Sequence, residues 1–472
     1  MKRTIYMLIA GCATLLTVIT SCHLSSSEDV WEAKASLEQR IVEPRFADRD
    51  FVITDFGAHR GREQLSTRAI AKAIDQCHEA GGGRVVVPAD TFLTGAIHLK
   101  SNVNLHLEEG AVLLFSTRSE DYLPTVFTRW EGIELMNYSP LIYASEQENV
   151  AVTGKGKLDG QASDQNWWSW CGSKRYGWQE GMPRQNSARD SLQNLNHREV
   201  PPRERIFGPG YSLRPNFVQF YKCRNIALTD FTIVNSPMWI LHPVLSQNIT
   251  IKGLTIKSIG PNSDGCDPES CKDVLIKDCY FDTGDDCIAF KSGRDHDGRR
   301  IGVPSENIIV ENCLMKRGHG GVVIGSEISG GCRNVYALNC TMDSPELDRA
   351  LRIKTSSSRG GVIENVYFKD VKVGTYNEAA VRVNMFYEAP GDYMPVVRNI
   401  LVENLEVADG GKYGVLIRAY PESPVQNFRM VNCVINSVDQ VAKADHVKNV
   451  KLENVTINGK EITSEVLTGE GN

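Results

Sequence analysis

The chain has 472 residues, a formal net charge of −6 and 41% hydrophobic residues. This length fits two or three average domains, or one large β domain. The mild negative charge comes without a basic stripe, which argues against nucleic-acid binding, so an acidic partner would need a local basic pocket.

The N-terminus has the pattern of an export signal. Two basic residues precede an apolar run over residues 5–19, and small residues then lead into Cys22. The pattern resembles a bacterial lipobox and predicts a lipoprotein signal peptide over residues 1–21, with lipidation of Cys22. The alternative is an uncleaved transmembrane helix, since the run is nearly long enough to span a bilayer.

Residues 22–50 are expected to be a flexible tether, because they include a run of serines followed by acids. No later stretch is apolar enough to cross a membrane, so we expect a soluble body over residues 51–472 on a lipid anchor. The exported lipoprotein would then be anchored at the outer membrane. His23 does not settle whether it faces the periplasm or the cell surface. We expect a monomer.

Residues 66–79 are predicted to form an amphipathic helix that ends at a run of glycines over residues 81–83. Its apolar residues at helical spacing are Ala69, Ile70, Ala73, Ile74 and Cys77. A lone helix before repeated strands is interpreted as a cap over open strand edges. Short strands are predicted at residues 85–87, 103–107 and 150–153.

Residues 160–213 form an insertion that breaks the pattern around it. The insertion holds four of the seven tryptophans, at positions 167, 168, 170 and 178. These aromatic residues suit two roles equally, closing the wall of the core or stacking on sugar rings.

One pattern recurs from residue 225 onward, at intervals of 22 to 34 residues. The coil starts are Asn225, Asn248, Asp273, Asn307, Asn334, Asn365, Asn399, Asn427 and Asn449. Five places after each start stands Asn, Asp or Gly, residue types that tolerate left-handed backbone angles. One place further is always apolar, which predicts a ladder of inward-facing side chains.

Short strands that bend at fixed points and repeat about nine times indicate an all-β fold, a single parallel β-helix. The spacing is too irregular for an α-solenoid or a propeller. The apolar ladder contains four of the thirteen cysteines, Cys279, Cys313, Cys340 and Cys433. We expect these four to be buried thiols rather than disulfides, and no CxxC pair completes a zinc site.

Four charged motifs lie on consecutive coils of this repeat. They are Asn262-Ser263-Asp264, Gly284-Asp285-Asp286, Gly318-His319-Gly320 and Arg352-Ile353-Lys354. Asp285 and His319 are each twelve places after a coil start, so they are expected to stack on neighbouring coils. Arg352 and Lys354 are two residues apart on a strand and share its outer face.

This set suits the hydrolysis of a glycosidic bond in an acidic sugar chain. One carboxylic acid must protonate the leaving oxygen, and a carboxylate must activate water or attack directly. Crowded acids raise one another's pKa, which supplies the protonated member, and His319 could hold that proton. The Arg352 and Lys354 pair suits a substrate carboxylate. Any one motif alone is weak, because each is common in turns or on solvated strands.

With these motifs the sequence resembles glycoside hydrolase family 28, the polygalacturonase group. Further matching segments are Asp55-Phe56-Gly57-Ala58, Ser236-Pro237-Met238-Trp239 and Leu241-His242-Pro243. The resemblance implies a right-handed β-helix that hydrolyses pectin with inversion, without metal or cofactor. Ser263 stands where many relatives carry Thr, which we expect to be silent.

The resemblance also implies roles for single residues. Asp285 matches the general acid, and Asp264 and Asp286 match the pair that activates water. His319 matches the histidine beside the acid. Residues matching substrate binding are Asn262, Arg352 and Lys354.

Extra loops that block one end of the groove lead to exo action in this family. The insertion over residues 160–213 therefore suggests an exo-acting polygalacturonase that releases galacturonate. A rhamnogalacturonan or xylogalacturonan hydrolase with the same acids is an alternative. A calcium-dependent pectate lyase and a non-catalytic glycan-binding β-helix are less favoured.

Overall fold

The computed structural model describes residues 27–468, so the predicted signal peptide over residues 1–21 and Cys22 lie outside the described residues. The helices are α1 (Ser27–Arg40), α2 (Thr67–Glu79), α3 (Asn186–His197), α4 (Asp295–Ile301) and α5 (Glu465–Thr468). Short 3₁₀ helices span Ile53–Phe56, Ser119–Tyr122, Trp167–Cys171, Lys174–Tyr176 and Pro202–Glu204. Among residues 27–468, no helix is long and apolar enough to cross a membrane.

The strands before the main repeat are β1 (Asp50–Val52), β2 (Gly61–Leu65), β3 (Gly83–Val87), β4 (Thr91–Thr94), β5 (Ile97–His98), β6 (Val103–Leu107), β7 (Val112–Phe115), β8 (Val126–Trp130), β9 (Ile133–Asn137), β10 (Ile142–Ser145), β11 (Glu148–Gly154), β12 (Lys157–Asp159) and β13 (Val218–Tyr221). Those of the repeat are β14 (Arg224–Thr229), β15 (Thr232–Val234), β16 (Leu241–Val244), β17 (Gln247–Lys252), β18 (Thr255–Ser258), β19 (Lys272–Lys277), β20 (Tyr280–Thr283), β21 (Ile288–Phe290), β22 (Ser305–Glu311), β23 (Leu314–Met315), β24 (Val322–Ile324), β25 (Cys332–Leu338), β26 (Thr341–Met342), β27 (Arg349–Lys354), β28 (Val362–Thr375), β29 (Ala379–Asn384), β30 (Val396–Asp409), β31 (Tyr413–Arg418), β32 (Val425–Ile435), β33 (Gln440–Asp445), β34 (Val447–Ile457) and β35 (Lys460–Glu461).

These strands wind into the predicted right-handed parallel β-helix, which is confirmed. Each coil contributes strands to three faces, and all pairings are parallel except β8–β9 and β34–β35. Two of the faces belong to one large sheet of 23 strands. The other, here called the third face, runs through β5, β10, β13 and β16, then β21, β24, β27, β29, β31 and β33. Isolated bridges from Leu241 to Cys266 and from Cys266 to Ile288 join its two halves into one surface.

The turns between faces follow the two columns of the repeat. All nine coil starts have positive φ, and the residues five places later have φ of 52–70°. This confirms the predicted left-handed bends. The coil starts also form a ladder of side-chain hydrogen bonds, for example from Asn399 Nδ2 to Asn365 Oδ1 at 2.9 Å and from Asn427 Nδ2 to Asn399 Oδ1 at 2.7 Å. Each amide therefore holds its turn in register with the turn before.

A continuous apolar core fills the inside of the coils. The predicted ladder residues are all buried, and every cysteine among the described residues is a free thiol, as expected for the ladder. The predicted cap is also confirmed, because α2 buries its five apolar residues against the first coils.

The insertion over residues 160–213 folds onto this core. Trp167 is only 1% exposed, and Trp168 and Trp170 pack partly buried beside it. For these three tryptophans the structure favours the core-closing role over sugar stacking. Trp178 instead lines an open depression on the surface.

The prediction of a flexible tether over residues 22–50 was wrong for its described part. Helix α1 packs along the outside of the β-helix, where Val30, Leu37 and Ile41 are buried. They contact an apolar patch made by Leu275, Ile309 and Tyr336. The prediction relied on the serines and acids at the start of this segment and overlooked the apolar residues at helical spacing that follow them.

Replacing Leu37 with Ala should loosen α1, because the change leaves a cavity that typically costs about 2–5 kcal/mol. Amide hydrogen exchange over residues 27–40 should become faster in this variant than in the parent. A matched control is Gln39→Ala on the exposed side of the helix, which should change little. Fast exchange of these amides already in the parent would instead support a tether.

Candidate active site

The four charged motifs meet on the third face. Asp285 and His319 lie side by side on neighbouring coils, where the His319 amide donates to the Asp285 carbonyl at 3.2 Å. Strand β27 follows on the next coil and presents Arg352 and Lys354 outward, because Ile353 between them is buried in the core. The predicted stacking of the motifs is therefore confirmed.

Three carboxylates form the centre of the site. One oxygen each of Asp264, Asp285 and Asp286 lies within 4.8 Å of the others. The side chains differ in exposure, with Asp285 at 19%, Asp264 at 4% and Asp286 at 0%. Asp285 is thus the carboxyl most open to a ligand in the groove.

Asp286 is held by two cations. Its carboxylate accepts from Lys354 Nζ at 2.6 Å and from Arg352 Nη1 at 3.0 Å. Burial acts to raise its pKa, but Lys354, Arg352 and Lys291 outweigh burial and lower the pKa below the ordinary value. Asp286 therefore stays ionised.

The pKa of Asp264 is shifted in the opposite direction. Burial and the neighbouring charge of Asp285 raise its pKa to about 7, although Lys291 Nζ lies 3.4 Å from its carboxylate. A carboxyl in this range can exist in either protonation state near neutral pH.

Asp285 and His319 form a hydrogen-bonded pair, with 2.9 Å between His319 Nδ1 and Asp285 Oδ1. The hydrogen bond and charge of Asp285 raise the pKa of His319 to about 9. For Asp285, burial raises the pKa, but His319 outweighs it and the pKa falls. The pair thus keeps a shared proton well above neutral pH.

The cations Arg352 and Lys354 retain donors beyond those that hold Asp286, because an ammonium has three donors and a guanidinium five. The ring of Tyr387 lies 5.5 Å from Arg352 and 5.3 Å from Lys354. Tyr387 is partly exposed, so it forms one side of the groove at this point.

Asn262 is placed by a residue that the sequence analysis missed. Arg214 Nη2 donates to Asn262 Oδ1 at 2.7 Å, and Arg214 Nη1 donates to the carbonyls of Pro237 and Pro261. Arg214 thereby ties the Asn262 loop to the Ser236–Trp239 segment. No repeat or motif surrounds Arg214, so sequence offered no signal for it.

Lys291 was also missed. It is buried between Asp264, Asp267 at 3.5 Å and Glu327 at 3.3 Å, over the ring of Trp239. Lys291 directly follows the apolar strand β21 and lies two residues after Ala289, so both side chains point out of the core. This alternation was the signal in the sequence that could have identified it.

A wall covers the third face on the N-terminal side of the site. The hairpin β8–β9 lies across β10, β13 and β16, where the carbonyl of Arg129 accepts from Gln219 Nε2 at 2.8 Å. The Arg129 guanidinium pairs with buried Glu269 at 3.3 Å. Helix α3 of the insertion packs behind the hairpin through Leu192 and Ala188. Among residues 27–468, no such hairpin covers the coils after the site, and Arg418 and Lys443 there are exposed.

Residues 210–457 match glycosyl hydrolases family 28. The chain belongs to this family. It is 44% identical to the crystal structure of a hyperthermoactive exopolygalacturonase from Thermotoga maritima, with a TM-score of 0.88, covering 92% of this chain and 97% of that one. The predicted family resemblance is confirmed.

Curated relatives agree with this assignment. A probable polygalacturonase of Vitis vinifera is 28% identical over 409 residues, covering 83% of this chain and 75% of that protein. An exo-poly-alpha-D-galacturonosidase of Dickeya chrysanthemi is also 28% identical, over 76% of this chain and 62% of its own length, so the chain spans less than two thirds of that relative. An endo-xylogalacturonan hydrolase from Aspergillus tubingensis shares only the fold, at 16% identity.

Asp285→Asn should lower the pKa of His319 from about 9 toward its ordinary value near 6.5, because the hydrogen bond and negative charge that stabilise the imidazolium are removed. Side-chain NMR of labelled histidines across a pH series measures this shift. Asp348→Asn, which removes a weaker neighbouring charge, should move the pKa less. An unchanged His319 pKa in Asp285→Asn would mean that the two side chains are not paired in solution.

Proposed function

We propose that the protein hydrolyses α-1,4-galacturonosyl linkages of pectin by an inverting mechanism and releases galacturonate from the chain end. The observation that carries this proposal is the cluster of three carboxylates with different charged partners, of which Asp286 is bound by Arg352 and Lys354, in a groove closed on one side. The similarity to an exopolygalacturonase over nearly the whole chain supports it.

Asp285 is the proposed general acid. It is the most exposed of the three carboxyls, so it can reach the glycosidic oxygen of a bound chain. The proton that it shares with His319 is available over a wide pH range, and donation to the leaving oxygen avoids an alkoxide. When substrate displaces water from Asp285 and His319, the form in which both side chains are neutral, with the proton on Asp285, is favoured over the ion pair.

Asp264 is the proposed base, with Asp286 as its anionic partner. A carboxylate with a raised pKa removes a proton from water more readily than an ordinary one. Both oxygens of Asp286 are already bound by Lys354 and Arg352, which disfavours direct attack on the sugar. For two-carboxylate sites, spacing below about 5.5 Å indicates retention. That rule assumes only two carboxyl groups. This site has three, so Asp264 and Asp286 can hold a water between them while Asp285 acts as the acid.

Arg352 and Lys354 are the proposed clamp for the carboxylate of a uronic acid. An arginine can bind a carboxylate through two parallel hydrogen bonds, which a neutral sugar cannot satisfy. Pairing with Asp286 in the same structure holds both cations in place before substrate arrives, so less entropy is lost on binding.

Exo action is supported by the wall at the N-terminal side of the groove. The insertion over residues 160–213 was expected to form this block, but the hairpin β8–β9 forms the covering layer, and α3 of that insertion supports it from behind. A chain can then extend only over the coils after the site, so cleavage is limited to its terminal unit.

The alternatives differ in what they require of the site. A rhamnogalacturonan or xylogalacturonan hydrolase would use the same acids and differ in the groove walls. A lyase that uses calcium would need free carboxylates, whereas Lys354 and Arg352 already neutralise Asp286. A pure glycan-binding β-helix has no need to crowd three acids, since like charges repel.

The partner is thus an acidic plant polysaccharide. We further propose that the chain is a monomer and that it is exported as a lipoprotein anchored through Cys22; the N-terminal sequence pattern supports the anchor. Metabolic labelling with a fatty acid, lost in Cys22→Ser, tests the anchor.

Product analysis by mass spectrometry tests the proposed function. Polygalacturonate should yield saturated galacturonate monomer from the earliest times, with little loss of viscosity and no effect of a chelator. Proton NMR of the first product should show the β-anomer, because inversion of an α-linkage gives β.

Each other outcome assigns a different activity. A rapid loss of viscosity before monomer forms would contradict exo action. Unsaturated, chelator-sensitive product would replace hydrolysis by elimination. Turnover of rhamnogalacturonan alone would move the specificity to another pectin backbone.

Asp285→Asn should lower kcat on polygalacturonate by about 10²–10⁴-fold, because the amide cannot donate the proton that general acid catalysis needs. KM should change only a few-fold. Asp278→Asn is a matched control, since Asn occupies the same turn position on other coils and Asp278 lies away from the site. A kcat within a few-fold of the parent would place the acid on another residue.

A further inference from the structure

The outer surface of the third face continues beyond the active site as two columns of side chains in register. One column runs from Arg352 to Arg382, Leu416 and Lys443. The other runs from Lys354 to Asn384, Arg418 and Asp445. Each position is thus followed one coil later by a side chain at the same point of the groove, and cations predominate in these columns.

Arg382 is the cation one coil beyond Arg352, and its charge is poorly compensated. Its Nη1 donates to the carbonyls of Val383 at 3.2 Å and Leu416 at 3.3 Å. The nearest carboxylate, Glu378, is 4.0 Å from Nε and is already engaged by Arg349. Burial, together with nearby Arg349, Arg418 and Arg352, lowers the pKa of Arg382 to about 10.

The other acids at this surface do not supply the missing charge. Asp348 pairs with Arg349 at 3.1 Å, so Arg349 is satisfied by two carboxylates. Within residues 27–468, Arg418 has no carboxylate within 4.0 Å, although Asp445 follows it on the next strand. Arg382 and Arg418 therefore form a positively charged spot beside an open depression of about 700 Å³.

Aromatic side chains flank the same spot. Phe386 is 40% exposed, stacks on Tyr420 with 4.2 Å between ring centroids, and contacts the guanidinium of Arg418. An exposed aromatic ring beside a cation fits the apolar face and the carboxylate of one uronic acid.

We propose that Arg382, with Arg418 and Phe386, forms a second uronate-binding subsite that takes the carboxylate of the sugar one unit beyond the Arg352 and Lys354 clamp. The inference rests on the proposed function. Successive coils of a β-helix are about 4.8 Å apart, and a 1,4-linked pyranose advances its chain by a similar length. Because the wall closes the N-terminal side, the uncleaved part of the chain lies over these later coils.

The test compares substrates of different length in Arg382→Gln, which keeps a polar side chain but removes the charge. Digalacturonate ends at the clamp, so its kcat/KM should stay within about twofold of the parent. For trigalacturonate and polygalacturonate, kcat/KM should fall about tenfold or more through KM, the size expected for a lost charge-assisted hydrogen bond. On trigalacturonate that is methyl-esterified at its reducing-end unit, the parent and Arg382→Gln should have similar kcat/KM values.

Arg398→Gln is the matched control, because Arg398 pairs with Glu364 on another face and should leave all three substrates unchanged. An equal loss on digalacturonate and trigalacturonate, or no loss on either, would overturn the subsite. A parent enzyme inactive on all three would overturn the proposed function instead. Calorimetric binding of trigalacturonate to the parent and Arg382→Gln would then decide the subsite, with equal affinities refuting it.

Discussion

The backbone register between successive coils determines which side chains meet at the active site. Parallel pairing fixes each strand against the one before, and the asparagine ladder holds the bends at the same point of every coil. Residues separated by about 30 positions in sequence are thereby placed side by side, as are Asp285 and His319. Preorganised polar groups of this kind need not reorganise as charge develops during reaction.

The same register makes a dense cluster of buried charge possible. Isolated ions are costly to bury, and each buried acid in this site is paired with a cation from another coil: Asp286 with Lys354 and Arg352 two coils later, and Asp264 with Lys291 on the next coil. Because the three acids have different charged partners, their pKa values are shifted differently. Asp286 has two close cations and stays ionised, Asp264 has one at a longer distance, and Asp285 shares its proton with a histidine. Three identical side chains thus acquire three different pKa shifts from their partners.

Periodicity explains what the sequence predicted and what it did not. The turn columns and the inward ladder recur at fixed offsets, Asp285 and His319 share one offset from their coil starts, and the apolar residues of the cap recur at helical spacing, so spacing placed them. Helix α1, the hairpin β8–β9 and Arg214 lie outside any repeat, and they contact residues from 47 to more than 200 positions away in sequence. Such contacts depend on how loops fold back on the solenoid. The tether prediction failed for this reason, because composition describes a segment without its docking surface.

The two ends of the third face are chemically different, and this difference sets the direction of the substrate. On the N-terminal side, Arg129 of the hairpin forms ion pairs with Glu134 and with Glu269, and all three are buried, so that half offers no free charge to a ligand. On the C-terminal side, Arg382 and Arg418 lack close carboxylates of their own. The carboxylates of an anionic chain find no unpaired cation on the N-terminal half, whereas on the C-terminal half they can pair with Arg382 and Arg418. Under the proposed function, electrostatics and shape therefore both direct the uncleaved polymer over the later coils. On the proposed function, cleavage at the terminal unit follows from the wall, and the length of chain that is bound follows from the cations beyond it.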